Sequence, residues 1–94
     1  MVLEIAVFTA HPGHEEQFAR AYGEAGKIIT AAPGCRSARM TRGVEHPDQF
    51  TLLVEWETLE AHMEGFRGSD QFGVWRSLLG PHFGAVDMRH VADL

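Results

Sequence analysis

Histidine is the side chain whose charge changes nearest neutral pH, and this 94-residue chain has six of them. His62 is the best placed to do chemistry. It lies between Leu59, Met63 and Phe66 on the apolar side of a short helical stretch, a side that should face the cleft between helices and sheet. An imidazole held there can take a proton from a bound molecule at neutral pH. The same position also suits a buried histidine satisfied by one backbone or side-chain partner, or one reaching water at the helix edge. Tyr22, Phe66, Phe72 and Trp75 could line a flat aromatic slot, although aromatic residues at helical spacing serve equally as core. Arg76 follows Trp75, where it either reaches a substrate anion or suits the helix dipole as a solvated end-of-helix cation.

The remaining reactive residues are less well grouped. His11 and His14 are three residues apart, and His82 and His90 lie near the last strand-like segment. None has the cysteine or carboxylate company of a zinc or non-heme iron site, so no metal and no cofactor is expected. Cys35 starts a segment just after Pro33-Gly34 and beside Arg36; it reads as a small buried apolar residue rather than a nucleophile. A single cysteine forms no internal disulfide, which fits a reducing cytoplasm. Arg36, Arg39 and Arg42 alternate between two faces of a strand, and the net charge is −5, so a nucleic-acid partner is not expected. There is no phosphate-binding glycine loop, dinucleotide fingerprint or serine elbow. No apolar run is long enough to span a membrane, and the N-terminus lacks a basic-then-apolar signal pattern.

The elements that must position these groups are legible from periodicity and punctuation. Val2 to Thr9 alternates as a strand, with Leu3, Ile5, Val7 and Thr9 on one face and Val2, Glu4, Ala6 and Phe8 on the other. Pro12-Gly13 ends it. Phe18, Tyr22, Ala25, Ile28, Ile29 and Ala32 then mark an amphipathic helix that Pro33-Gly34 stops. Cys35 to Arg42 and Phe50 to Glu57 form a hairpin across a polar turn, with Phe50, Leu52, Val54 and Trp56 on one face of the second strand. Thr58 caps the short helix carrying His62; Ser69 or Asp70 caps another, with Phe72, Trp75, Leu78 and Leu79; Phe83 to Val91 is the last strand, with Val86, Met88 and His90 on one side. A βαββαβ order in one domain, residues 1–94, gives an α+β ferredoxin-like sandwich: a four-stranded antiparallel sheet, helices on one face, strands one and three central. Helices cover only one side, yet the central strands are apolar on both, apart from Glu4 and the Thr51/Glu55/Glu57 row. A homodimer packed sheet to sheet is the expected remedy.

This layout resembles the antibiotic biosynthesis monooxygenase family. Pro12-Gly13 opens the first helix, Ala32-Pro33-Gly34-Cys35 closes it, and Val54-Glu55-Trp56-Glu57 ends the third strand. Leu59-Glu60-Ala61-His62 and Phe66-Arg67-Gly68-Ser69-Asp70-Gln71-Phe72 look like its later helical segment. The resemblance implies a dimeric α+β barrel. It also implies one of several activities: oxidation of quinols or polyketide-like rings by dioxygen without metal or flavin, heme degradation, or no known reaction. Heme-degrading members use an asparagine on the first strand and a tryptophan and a histidine on the late helices. Ala6, Phe66 and Arg76 stand at those places, and arginine cannot be an ordinary neutral iron ligand, so that route is not expected. Quinol-oxidising members carry several histidines in the late helices; His62 corresponds to the first, while Phe66 and Gln71 stand where the others fall. The leading expectation is a cofactor-independent monooxygenase acting on a small aromatic or quinol-like compound, with His62 as proton acceptor and Tyr22, Phe66, Phe72, Trp75 and Arg76 around the substrate. The alternatives are a non-catalytic small-molecule binder on the same scaffold and a heme binder with different ligation.

Overall fold

The computed structural model describes residues 1–94. Four strands are present: β1 (Val2–Ala10), β2 (Cys35–Arg42), β3 (Gln49–Trp56) and β4 (Phe83–Val91). Helix α1 (Glu15–Thr30) crosses between β1 and β2. A π-helical turn (Ala61–Phe66), helix α2 (Asp70–Leu79) and a 3-10 turn (Gly80–His82) join β3 to β4. The strand order is β2-β3-β1-β4 and every neighbouring pair is antiparallel, which is the ferredoxin-like α+β arrangement.

Alternation decides which face each strand residue takes. Ala6 pairs with Leu52 on one side and Met88 on the other; Phe8 pairs with Phe50 and Val86. This face is sealed by Phe18, Ala25 and Ile29 of α1, Phe66 of the π turn, and Trp75 and Leu79 of α2. Each large side chain so buried contributes roughly 1.5–3 kcal/mol of transfer free energy. Helix α1 ends at Thr30, just ahead of Pro33-Gly34. Gly34 has φ +83°, in the left-handed region, and a Cβ there would lie 2.6 Å from that of Ala61, so the turn into β2 needs glycine. Ser69, not Asp70, caps α2: its hydroxyl accepts from the Phe72 N–H at 3.3 Å.

One expectation is corrected. Leu59, His62, Met63 and Phe66 do not share a buried face. His62 and Phe66 are buried, whereas Leu59 and Met63 are 43% and 41% exposed. The cause is the widened turn, in which the Arg67 N–H donates to the His62 carbonyl five residues back at 3.0 Å. A π turn holds about 4.4 residues rather than 3.6. Positions four apart therefore stay aligned, and the neighbouring pair four apart turns outward. No helix is long and apolar enough to cross a membrane.

Candidate active site

Strand alternation forces Glu4 inward, onto the same face as Ala6 and Phe8 and next to the Ala6 pairs, and it is only 4% exposed. A carboxylate placed there needs partners. Trp56 supplies one: its indole N–H donates to Glu4 Oε1 at 2.9 Å across the β1–β3 ladder. His62 supplies another. The Thr58 hydroxyl accepts the Ala61 N–H at 3.0 Å and starts the π turn, which lays the His62 ring over Trp56. The rings are stacked 5.0 Å apart and 14° from parallel. In that pose His62 Nε2 lies 3.4 Å from Glu4 Oε1, and Nδ1 lies 2.7 Å from Nε2 of His90. His90 faces Glu4 in the β1–β4 register. Three protonatable groups from β1, the π turn and β4 thus stand in a row.

Their charges follow from burial. His62, itself 4% exposed, is pushed down to about 4, first by loss of water and then by the charges of His90 and Arg67. His90 is lowered by burial and by Arg67. Glu4 is raised by burial, a rise partly offset by the Trp56 hydrogen bond and the Arg67 charge. Both imidazoles are therefore neutral at pH 7, and the 3.4 Å Glu4–His62 contact is a polar approach rather than an ion pair. With Glu4 ionised, the consistent tautomer has His62 Nε2–H directed at the carboxylate and Nδ1 accepting from His90 Nε2–H.

The depressed His62 has a stability consequence. Between about 4 and 6.5 the unfolded chain binds a proton at this residue that the folded chain refuses. Its contribution is complete above 6.5 and is lost as the pH falls. Glu4 acts with the opposite sign: the folded chain holds its proton to a higher pH than 4.5, so its contribution declines as the pH rises. Urea unfolding at pH 7 and pH 4.5 is expected to show the wild type losing about 2 kcal/mol more on acidification than His62→Gln. Equal losses would refute the assignment.

Two members of the row border a cavity of about 210 Å³ between helices and sheet. Glu4 and His62 form its polar wall, with Phe66, Phe72, Trp75 and Phe83 among its apolar walls, and Arg67 and Arg76 belong to its lining. Phe66, Phe72 and Trp75 form an edge-and-stack cluster with centroids 5.6–6.0 Å apart. The Arg67 guanidinium lies 5.3 Å from the Phe72 centroid. Neither Arg67 nor Arg76 is paired with a carboxylate, so each is available to a ligand anion. Trp75 Nε1 is buried without a hydrogen-bond partner.

Of the residues singled out from the sequence, the fold gathers His62, Phe66, Phe72, Trp75 and Arg76 around this cavity. Tyr22 is corrected: it does not line the cavity but packs over Gly26 on α1, near Cys35 at the other flank of the helix. Gln71 borders a separate groove beside Lys27 and Pro33. His11, His14 and His82 collect at the far end of β1, with His14 Nδ1 and His82 Nδ1 3.2 Å apart. Cys35 is half-buried, and burial raises its thiol above the ordinary value. Sequence reasoning missed Glu4 and His90 as members of the site. The signal was present: an acid on the same strand face as Ala6 and Phe8, and a histidine on the same face as Met88.

A family model described as antibiotic biosynthesis monooxygenase matches residues 1–78. The chain is 40% identical over 79 residues to the uncharacterized protein YczJ of Bacillus subtilis strain 168, covering 84% of this chain and 83% of that one. The crystal structure of a candidate antibiotic biosynthesis monooxygenase from Bordetella bronchiseptica superposes with a TM-score of 0.93 at 34% identity, over 99% of this chain and 96% of the other. A similarly described protein from Nitrosomonas europaea shares the fold at 15% identity, with a TM-score of 0.84 over 100% and 99% of the chains.

Proposed function

Because the chain belongs to the antibiotic biosynthesis monooxygenase family, we propose that it oxidises a small aromatic or quinol-like compound with dioxygen, without metal or flavin. The observation that supports this reading is one cavity combining aromatic walls, two unpaired guanidiniums and the Glu4–His62 pair, which His90 backs from β4.

The chemistry asks little of the protein. A phenol or quinol that loses its proton becomes an electron-rich anion, which passes one electron to dioxygen. The resulting substrate radical and superoxide combine at a ring carbon as a peroxide anion, which takes back the proton first removed and becomes a hydroperoxide. Where that carbon carries hydrogen, loss of water leaves a carbonyl, with one oxygen atom in the product and the other in water. The chain supplies a proton acceptor in the row that contains His62, positive charge from Arg67 and Arg76 for the anion, and apolar walls that displace water. The active form is a homodimer in which the apolar face of Leu3, Ile5, Val7 and Leu53 meets its copy. The unpaired cysteine suits the cytoplasm.

An oxygen electrode with a panel of hydroquinones tests the activity. Uptake that scales with enzyme supports it. Binding without uptake selects a non-catalytic binder on the same scaffold. His62→Ala is expected to lower turnover by at least about tenfold while leaving the sedimentation coefficient of the dimer unchanged. Undiminished turnover would remove His62 from the mechanism.

A further inference from the structure

We propose that Glu4, rather than His62, is the group that takes the substrate's proton, with His62 and His90 holding it in place. This rests on the functional reading above and names the catalytic base within it.

His62 has no free lone pair for a substrate. Its Nδ1 is 2.7 Å from His90, its Nε2 faces Glu4 at 3.4 Å, and one ring face is covered by Trp56. Glu4 differs. Both residues line the cavity, but in Glu4 Trp56 and His62 approach only Oε1, while Oε2 accepts no hydrogen bond from the chain. A lone carboxylate in the core would be free to swing. Here one oxygen is pinned from two directions, which leaves the other as the reactive position. Basicity runs the same way: burial makes Glu4 a stronger base than an ordinary carboxylate, and leaves His62 too weak a base to keep a proton.

The step balances without a further reactant. The substrate O–H bond breaks, a Glu4 Oε2–H bond forms, and the electron pair stays on the substrate oxygen. Glu4 returns that proton to the peroxide anion, which becomes the hydroperoxide. Glu4 then takes the proton of the ring C–H as the carbonyl forms and the O–O bond breaks, and passes it to the leaving hydroxide, which departs as water and restores the carboxylate. The titratable and charged groups around Glu4 are His62 on the π turn, His90 on β4, Arg67 after the π turn, whose charge offsets part of the rise that burial causes, Arg76 in the same cavity lining, and Cys35 on β2, whose thiol feels the Glu4 charge.

Two measurements decide the assignment. With the hydroquinone that the wild type turns over best, Glu4→Gln should lose at least ~100-fold in kcat, and Glu4→Asp should recover part of it. His62→Gln should lose about tenfold and move the pH at which kcat/KM rises, as expected of a positioning residue. Glu4→Gln retaining more than a tenth of wild-type kcat would overturn the assignment, as would a His62→Gln variant as inactive as Glu4→Gln. The second measurement needs no turnover: carbon-13 NMR of labelled glutamate carboxyls in the wild type, with Glu4→Gln to identify the resonance. Glu4 should titrate above 4.5, and titration at or below it removes Glu4 as the base. If the wild type consumes no oxygen, the functional reading fails, and the titration still decides whether Glu4 is a competent acceptor.

Discussion

Trp56→Ala is expected to destabilise the protein by about 5 kcal/mol, read from the urea midpoint at pH 7. Two losses add. Trp56 is fully buried and touches both His62 and Phe66, so truncation opens a cavity at a cost of about 3–5 kcal/mol. It also strips Glu4 of its indole donor, which leaves a buried carboxylate short of a partner at about 1–3 kcal/mol. A domain of this size has roughly 5–15 kcal/mol in total, so the variant sits near the edge of folding. Trp56→Phe separates the two: it keeps most of the packing and loses only the N–H, so it should cost about 2 kcal/mol. A Trp56→Ala loss below about 2 kcal/mol would show that neither the stacking on His62 nor the bond to Glu4 supports the core.

Ile5→Asp is expected to leave the protein monomeric at micromolar concentration in sedimentation, where the proposed homodimer would have the wild type paired. Ile5 lies at the middle of the uncovered sheet face, opposite Leu53 on β3 and Arg89 on β4. Leu3, Val7 and Leu53 surround it, while Arg39, Glu55 and Asp87 stand toward the rim on the same face. An apolar centre with a polar rim is how a buried interface is composed. Two-fold packing would place two carboxylates in that centre, one per copy, each costing several kcal/mol unless paired. A loss of about 4 kcal/mol weakens association by about a thousandfold. Asp87→Ala on the rim should change it by less than tenfold. A wild type already monomeric at high concentration, or an Ile5→Asp variant that still pairs, would refute the sheet-to-sheet dimer.

The sequence by itself determined the elements, the two faces of each strand and the apolar stripe of both α-helices; which face of β1 turns inward was settled by the helices packed on it. Alternation in Ala6-Val7-Phe8 and Leu52-Leu53-Val54, the three- and four-residue steps from Phe18 to Ile29, and the breaks at Pro12-Gly13 and Pro33-Gly34 are local signals that backbone geometry reads directly. It also placed His62 on a helical turn next to Phe66. It misplaced Tyr22, because a helix side that meets the sheet need not be the side that meets the cavity. Leu59 and Met63 escaped prediction because the pattern assumed 3.6 residues per turn, and only the folded backbone shows a π turn between β3 and α2. The row of Glu4, His62 and His90 was the tertiary structure's decision. Its members lie 58 and 28 residues apart along the chain. They meet only because the β1–β4 register sets Glu4 opposite His90 while the π turn lowers an imidazole onto Trp56. No local periodicity carries that information, since strand pairing and helix docking are chosen by burial summed over the whole core.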